Sequence, residues 1–148
     1  MHRRKSQYSL DESLGHLASN ASRVVLRRIN QELARRGFPV TSEQFSVIVH
    51  VWDRNGQPQY MLTEKLFKDK TTMARLVSGL EAQGLVVRMP GQRDAREKNV
   101  FLTKKGKDMM PKVIEAISGI LEQAQRGISP EELKICKDVL RRFSRNLL

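Results

Sequence analysis

Residues 93 to 106, RDAREKNVFLTKKG, set the tightest limit on the fold. A short charged loop runs into the strand-like Val100-Phe101-Leu102, and Thr103 then opens a helix. Leu85-Val86-Val87 supplies the facing strand, with Pro90-Gly91 in the loop between them. Just before this hairpin, Asp69 fits the N-cap of a helix running to Gln83, with Gly84 past its end. The chain therefore presents a short helix beside a thin, charged hairpin.

The remaining punctuation is helical. Ser9 and Glu12, preceded by Tyr8, have the spacing of a capping box. Leu10, Leu14, Leu17, Ala21, Val24, Val25 and Leu33 recur at helical spacing up to Gly37, which predicts one long helix. Thr41 and Gln44 form a second box, with Val40 and Phe45 placed for a hydrophobic staple. Phe45, Ile48, Val49 and Trp52 predict a helix buried on that face and ending near Asn55-Gly56. Pro58 fits a first helical position, and Met61, Leu62 and Leu66 predict a short helix over 58–67. With the helix from 70 it makes a helix-turn-helix. Beyond the hairpin, Thr103 is expected to cap a helix running to Arg126, stopped by Gly127 and kinked at Pro111. Ser129, Pro130 and Glu132 open a last helix, along which Leu133, Cys136, Leu140, Phe143 and Leu147 form a heptad-like seam.

The expected fold is mainly α with a small β-hairpin wing. A winged helix-turn-helix over residues 41–103 is flanked by N- and C-terminal dimerisation helices over 9–37 and 104–148. Apolar stripes with no core of their own to cover are expected to pair across a two-fold axis. That places Leu10, Leu14, Leu17, Leu133, Leu140, Phe143 and Leu147 at a homodimer interface.

The net charge of +11 calls for an acidic partner. Nucleic acid comes first and an anionic membrane second; a merely solvated basic surface is the plainer alternative. No run of about 18 apolar residues exists, so no transmembrane helix is expected. The basic start MHRRKSQYSL has no apolar stretch after it and does not read as a signal peptide. One cysteine fits a reducing cytoplasm.

On the helix from 70, Met73, Leu76, Val77 and Leu80 share one side; Thr71, Arg75, Ser78 and Ala82 share the other. Small and hydroxyl side chains admit close approach to a groove, and Arg can bond guanine bidentately. Lys70 and the first-turn N–H groups favour a phosphate. An ordinary solvated face is the alternative. In the hairpin, Arg88, Arg93, Arg96 and Lys98 stand against Asp94 and Glu97. A thin hairpin carrying Arg suits the minor groove of double-stranded DNA. Asp94 beside two arginines is expected to brace one in an extended pose, which lowers the ordering cost of binding.

At this point the chain resembles the MarR family of bacterial transcriptional regulators. The wing matches the family pattern D-x-R-x5-L-T-x2-G at Asp94, Arg96, Leu102, Thr103 and Gly106. DKTTMARLVSGLEAQGLV resembles the family's recognition helix and the turn after it. The resemblance covers nearly the whole chain and implies a single MarR-like domain over 1–148. It implies that Arg96 enters the minor groove with Asp94 as its brace, flanked by Arg93 and Lys98. It places Lys70, Thr71, Thr72, Ala74, Arg75 and Ser78 at the major groove. The implied function is a ligand-responsive repressor that binds a pseudo-palindromic operator as a homodimer. The alternative is an architectural or protein-interaction module with non-specific nucleic-acid affinity. Two positions depart from the pattern: Phe67 stands where many members have Gly, and Ala74 where many have Thr.

The resemblance further implies a small aromatic or phenolic effector between the dimer helices and the reading unit. Its crevice would be lined by His16, Asn20, Phe45, Val49 and Trp52; the plainer reading makes these core or interface residues. His16 and His50 lie far apart with no metal-ligand spacing, so no metal site is expected. Cys136, on the apolar seam, reads as a buried structural thiol. No Ser-His-Asp set, P-loop or GxGxxG occurs, and neither an enzyme nor a cofactor is expected.

Overall fold

The computed structural model describes residues 9–148, so Tyr8 and the basic tail before it lie outside the described residues. A short 3-10 turn (Leu10–Glu12) leads into α1 (Leu14–Arg35) and α2 (Ser42–Asp53). Then come β1 (Gln57–Pro58), α3 (Gln59–Lys65), α4 (Lys70–Ala82), β2 (Val86–Pro90) and β3 (Lys98–Leu102). Two helices close the chain, α5 (Lys104–Ala124) and α6 (Pro130–Arg145). The sheet is antiparallel in the order β1-β3-β2. No helix among the described residues is long and apolar enough to cross a membrane.

Several helix ends form as their capping residues dictate. Thr41 Oγ1 accepts from Gln44 N while Gln44 Oε1 accepts from Thr41 N, a reciprocal box that satisfies two orphan donors. Ser129 and Glu132 make the same exchange at α6, with Pro130 in the first turn. Asp69 caps α4 by accepting from Thr72 N at 2.7 Å and Thr72 Oγ1 at 2.8 Å. Gly37 and Gly127, at φ 75° and 80°, stand at the predicted stops of the two long helices.

Four expectations need correction. Ser9 makes no side-chain cap, because Ser13 is extended and its hydroxyl takes His16 N instead; the long helix therefore starts at Leu14. Pro58 is not a first helical residue. It lies in β1, paired with Asn99 at the sheet edge, where a residue without an N–H costs no ladder bond. Pro90 belongs to β2 rather than to the loop. The buried face of α2 is Val47, Ile48 and Val51, whereas Phe45 and Val49 are half-buried and Trp52 is 40% exposed. The helix packs on α4 and β3 on one side and on α1 and α5 on the other, and a single apolar stripe could not report both.

The core runs through the whole reading unit. Leu62, Met73, Leu76, Val77, Leu80, Leu85, Val86, Val100 and Leu102 pack with the α2 residues, and Ile29, Leu33, Met110, Val113 and Ile117 extend the cluster into α1 and α5. Fully burying a side chain of this size contributes roughly 1.5–3 kcal/mol, so α4 is held far more firmly by its inner face than by its cap. Buried Gln57 is also satisfied: its Nε2 donates to the His50 carbonyl, and its Oε1 accepts from Lys65 Nζ.

By contrast, α6 buries none of its residues. Cys136 is exposed on this chain, which corrects the expectation of a buried thiol: its own chain covers the seam only in part, at Leu133 and Leu140. Leu10, Leu14, Leu17, Phe143 and Leu147 are likewise between 40% and 81% exposed, and Leu133 and Leu140 are half-buried.

The turn between α3 and α4 carries the one positive φ among the described non-glycine residues, Phe67 at 51°. A Cβ in that region costs roughly 1–2 kcal/mol, and the 74% exposed ring recovers little through burial. We predict that Phe67→Gly raises stability, by about 0.5–1 kcal/mol once the added freedom of the unfolded chain is subtracted. Chemical denaturation would read this as a higher midpoint at unchanged slope; a lower midpoint would mean the ring has a partner.

Candidate nucleic-acid interface

The two faces of α4 separate as its spacing requires. Met73, Leu76, Val77 and Leu80 are buried; Thr71, Arg75, Ser78 and Ala82 are exposed. Lys70 is exposed at the helix start, whereas Thr72 and Ala74 are half-buried at the edge of the presented face. Thr72 is already engaged with Asp69, and these hydrogen bonds, the Thr72 amide first, hold the Asp69 carboxyl below its ordinary range. Arg75 reaches across to Glu43 of α2 at 3.6 Å, a contact between two largely exposed side chains that contributes little.

The base of the wing is pinned where β3 becomes α5. Thr103 N donates to the Leu85 carbonyl at 3.1 Å, Thr103 Oγ1 donates to the Gly84 carbonyl, and Gly106 N donates to Thr103 Oγ1. A Cβ on Gly106 would fall 2.2 Å from the Leu85 carbonyl oxygen, so only glycine lets α5 start this close to the entry of β2. The Leu-Thr-x2-Gly part of the motif is thus a structural clamp.

At the tip, Arg96 donates from its own amide, from Nε and from Nη2 to the Asp94 carboxylate, at 3.0, 3.2 and 3.3 Å. Its side chain stays 92% exposed. Asp94 therefore fixes the guanidinium without burying it, and the geometry is the expected brace. These contacts, the Arg96 amide foremost, hold the Asp94 carboxyl below its usual range. Arg93 and Lys98 are exposed beside it.

Arg88 behaves differently from its expected place among the loop charges. It donates to Glu81 from both its amide and its guanidinium, and to Ser78 Oγ, and its side chain is only 19% exposed. It ties the wing to α4 and, in turn, holds the Glu81 carboxyl below its usual range.

A cleft of about 340 Å³ brings α4 and the wing together: Lys70 lines it with Arg96 and Lys98. Its remaining wall includes Gln59, Tyr60 and Thr63 of α3, residues the sequence reading did not single out. Their polar spacing along a seven-residue helix was the available signal, but which face of so short a helix is presented depends on packing.

The five proposed effector residues are not gathered in this way. His16 meets Asn20 at 3.1 Å and Asp11 at 3.8 Å, and neither His16 nor Phe45, Val49 or Trp52 lines the larger cleft, which opens between α1, α2 and α4. His50 Nδ1 bonds the Ser46 carbonyl within its own helix. No group of three or more potential metal ligands occurs among the described residues.

Comparison with known proteins agrees with this geometry. A sequence model described as the MarR family matches residues 40–98. YybA of Bacillus subtilis (strain 168), described as an uncharacterized HTH-type transcriptional regulator, is 30% identical over 108 residues, which span 73% of this chain and 72% of that protein. The structure of overoxidized AbfR bound to DNA superposes with a TM-score of 0.74 at 27% identity, covering 94% of this chain and 95% of that one. CouR from Rhodococcus jostii RHA1, solved with p-coumaroyl-CoA, shares the fold at a TM-score of 0.80 and 24% identity, covering 93% and 95%.

The lowered Asp94 carboxyl sets the pH range of the brace. A group whose pKa falls on folding contributes above its unfolded pKa, about 3.9 for Asp, and loses that contribution as pH drops through the folded value. The brace should therefore be complete at neutral pH and fail only in acid. Carbon-detected NMR titration should place the Asp94 midpoint below that of an ordinary Asp. Arg96→Ala should move it part of the way back, since the amide of residue 96 still donates. An unchanged midpoint in the variant would show that the guanidinium does not act on Asp94.

Proposed function

This chain belongs to the MarR family of transcriptional regulators, and on that premise we propose that it is a sequence-specific DNA-binding repressor responsive to a ligand. One observation carries the reading: Arg96, held by Asp94 yet almost wholly exposed, shares a cleft with Lys70 beside the exposed face of α4. A pre-set guanidinium next to a presented helix suits simultaneous entry into a minor and an adjacent major groove. Thr71, Arg75 and Ser78 are the base-facing set, with Thr72 and Ala74 at its edge. Lys70, Arg93 and Lys98 supply phosphate contacts. AbfR, of similar fold, is bound to DNA in its structure. The groups gathered here bind rather than transform, and the protein acts in the cytoplasm, without a cofactor.

In this reading, residues 41–103 form the reading unit and the helices of 9–37 and 104–148 make the homodimer. The exposed apolar side chains of α1 and α6 support the pairing. A small aromatic or phenolic effector then lies between α1 and α2, against His16, Asn20, Phe45, Val49 and Trp52, in a crevice completed by the second copy. CouR, which carries p-coumaroyl-CoA, lends that ligand class its support.

Selection from a random duplex library at near-physiological salt tests the function. It should return an inverted repeat with half-sites about one helical turn apart. Recovery of no motif, with binding lost as salt rises, would favour an architectural module instead. On the selected operator, Arg75→Ala should cost roughly 1–3 kcal/mol and relax base preference, whereas Arg96→Ala should weaken binding and flatten its salt dependence. Parent-like binding by both would refute the assignment of these positions.

Sedimentation equilibrium at micromolar concentration should give twice the chain mass, and Leu17→Asp with Phe143→Asp should reduce it to a monomer. A monomeric parent would refute the dimer.

A further inference from the structure

From Arg23 to its C-cap Arg36, α1 is unusually basic: Arg23, Arg27, Arg28, Arg35 and Arg36 stand against one acid, Glu32. These arginines divide into two sets. Arg35, Arg36 and Arg28 all donate to Glu32, with contacts from 2.7 to 3.2 Å, and hold that buried carboxylate far below the usual range. Arg23 and Arg27 are exposed and form no ion pair among the described residues. They lie four residues apart on one helix face, where like charges repel.

That face lines the larger cleft. About 670 Å³ in volume and open to solvent, it has Arg23 and Arg27 on one wall, Arg75 of α4 on the other, and Leu26 and Leu76 between them. Glu43, at its α2 side, is its one acidic lining residue and touches Arg75 at 3.6 Å. Three guanidiniums against one carboxylate leave a basic trough beside the residue assigned to the major groove. The first turn of α2 adds little here, because Gln44 N is taken by Thr41 and Ser42 N by Asn30.

An open trough does not enclose a small ligand, which a specific site buries over most of its surface. It does admit a strand crossing it. A duplex that takes the α4 face into its major groove has one backbone at the rim of that groove, alongside Arg75. From this continuity we infer that Arg23 and Arg27 grip the sugar-phosphate backbone at the edge of the half-site, so that the dimerisation helix α1 is itself part of the DNA interface. The inference rests on the DNA-binding reading above. It adds two phosphate contacts per protomer outside the helix-turn-helix and the wing, and gives Arg23 and Arg27 a counter-charge that they lack among the described residues.

The test compares full-length parent, Arg23→Ala/Arg27→Ala and Arg23→Lys/Arg27→Lys on the selected operator, by fluorescence anisotropy between about 50 and 200 mM salt. Each phosphate contact contributes about 0.9 to the slope of log affinity against log salt. The alanine pair, lost from both protomers of the bound dimer, should therefore reduce the slope by about 3.6, lower affinity at least tenfold and leave base preference unaltered. The lysine pair should retain most of the parent slope. Both positions are exposed, and equal thermal melts would exclude a folding effect. A parent-like slope in the alanine pair, while Arg96→Ala still flattens it, would overturn the clamp and leave the DNA-binding reading standing. Loss of selection by the parent itself would instead remove that reading. A parent-like slope together with amide shifts at residues 41–44 on adding inorganic phosphate would reassign the trough to a small anion and also overturn the clamp.

Discussion

The arrangement depends on the close approach of two backbones at Gly106. Because no Cβ intervenes, α5 begins against the Leu85 carbonyl, and Thr103 can both cap that helix and bond the strand entry. This fixes where β3 ends, hence the register of Val86 to Leu102 and Pro90 to Lys98 across the hairpin. It also fixes the wing relative to α4, whose exit at Gly84 supplies another carbonyl to the same clamp. With β2 and β3 anchored there, and Arg88 tied to Glu81 and Ser78 halfway along, only the tip is left to meet a partner.

Charge is sorted by the same logic. Arg88, Arg28, Arg35 and Arg36 spend their hydrogen bonds within the chain, on Glu81 or Glu32. Arg96 is held but exposed, while Arg23 and Arg27 are exposed and unpaired among the described residues. A basic composition alone treats these as equivalent. Separating structural from presented guanidiniums turns a net charge of +11 into a directional surface.

The ends of the chain present the opposite imbalance. Leu17, Val24, Ile135 and Phe143 are exposed although they lie on amphipathic helices. Exposed apolar side chains on such helices mark an association surface, and α1 then serves two ends: Leu14 and Leu17 in its first turns are apolar and exposed, while Arg23 and Arg27 farther along lie beside α4.

Residue chemistry that acts locally was legible in the sequence. Caps at Thr41, Asp69, Thr103 and Ser129, stops at Gly37, Gly84 and Gly127, the division of α4 into two faces and the Asp94–Arg96 brace all involve residues within a few positions of each other. Such contacts are set by backbone geometry and side-chain reach, which spacing encodes. What tertiary structure decided involves partners far along the chain. Pro58 became a strand residue because Asn99 lies opposite, and α2 buried Val47 and Val51 because it is packed on two sides. Arg88 was withdrawn from the wing because Glu81 lay across the turn, and Arg23 and Arg27 came to face Arg75 across a cleft. These outcomes depend on which surfaces the fold brings within a few ångströms, and no periodicity along one segment records the position of another.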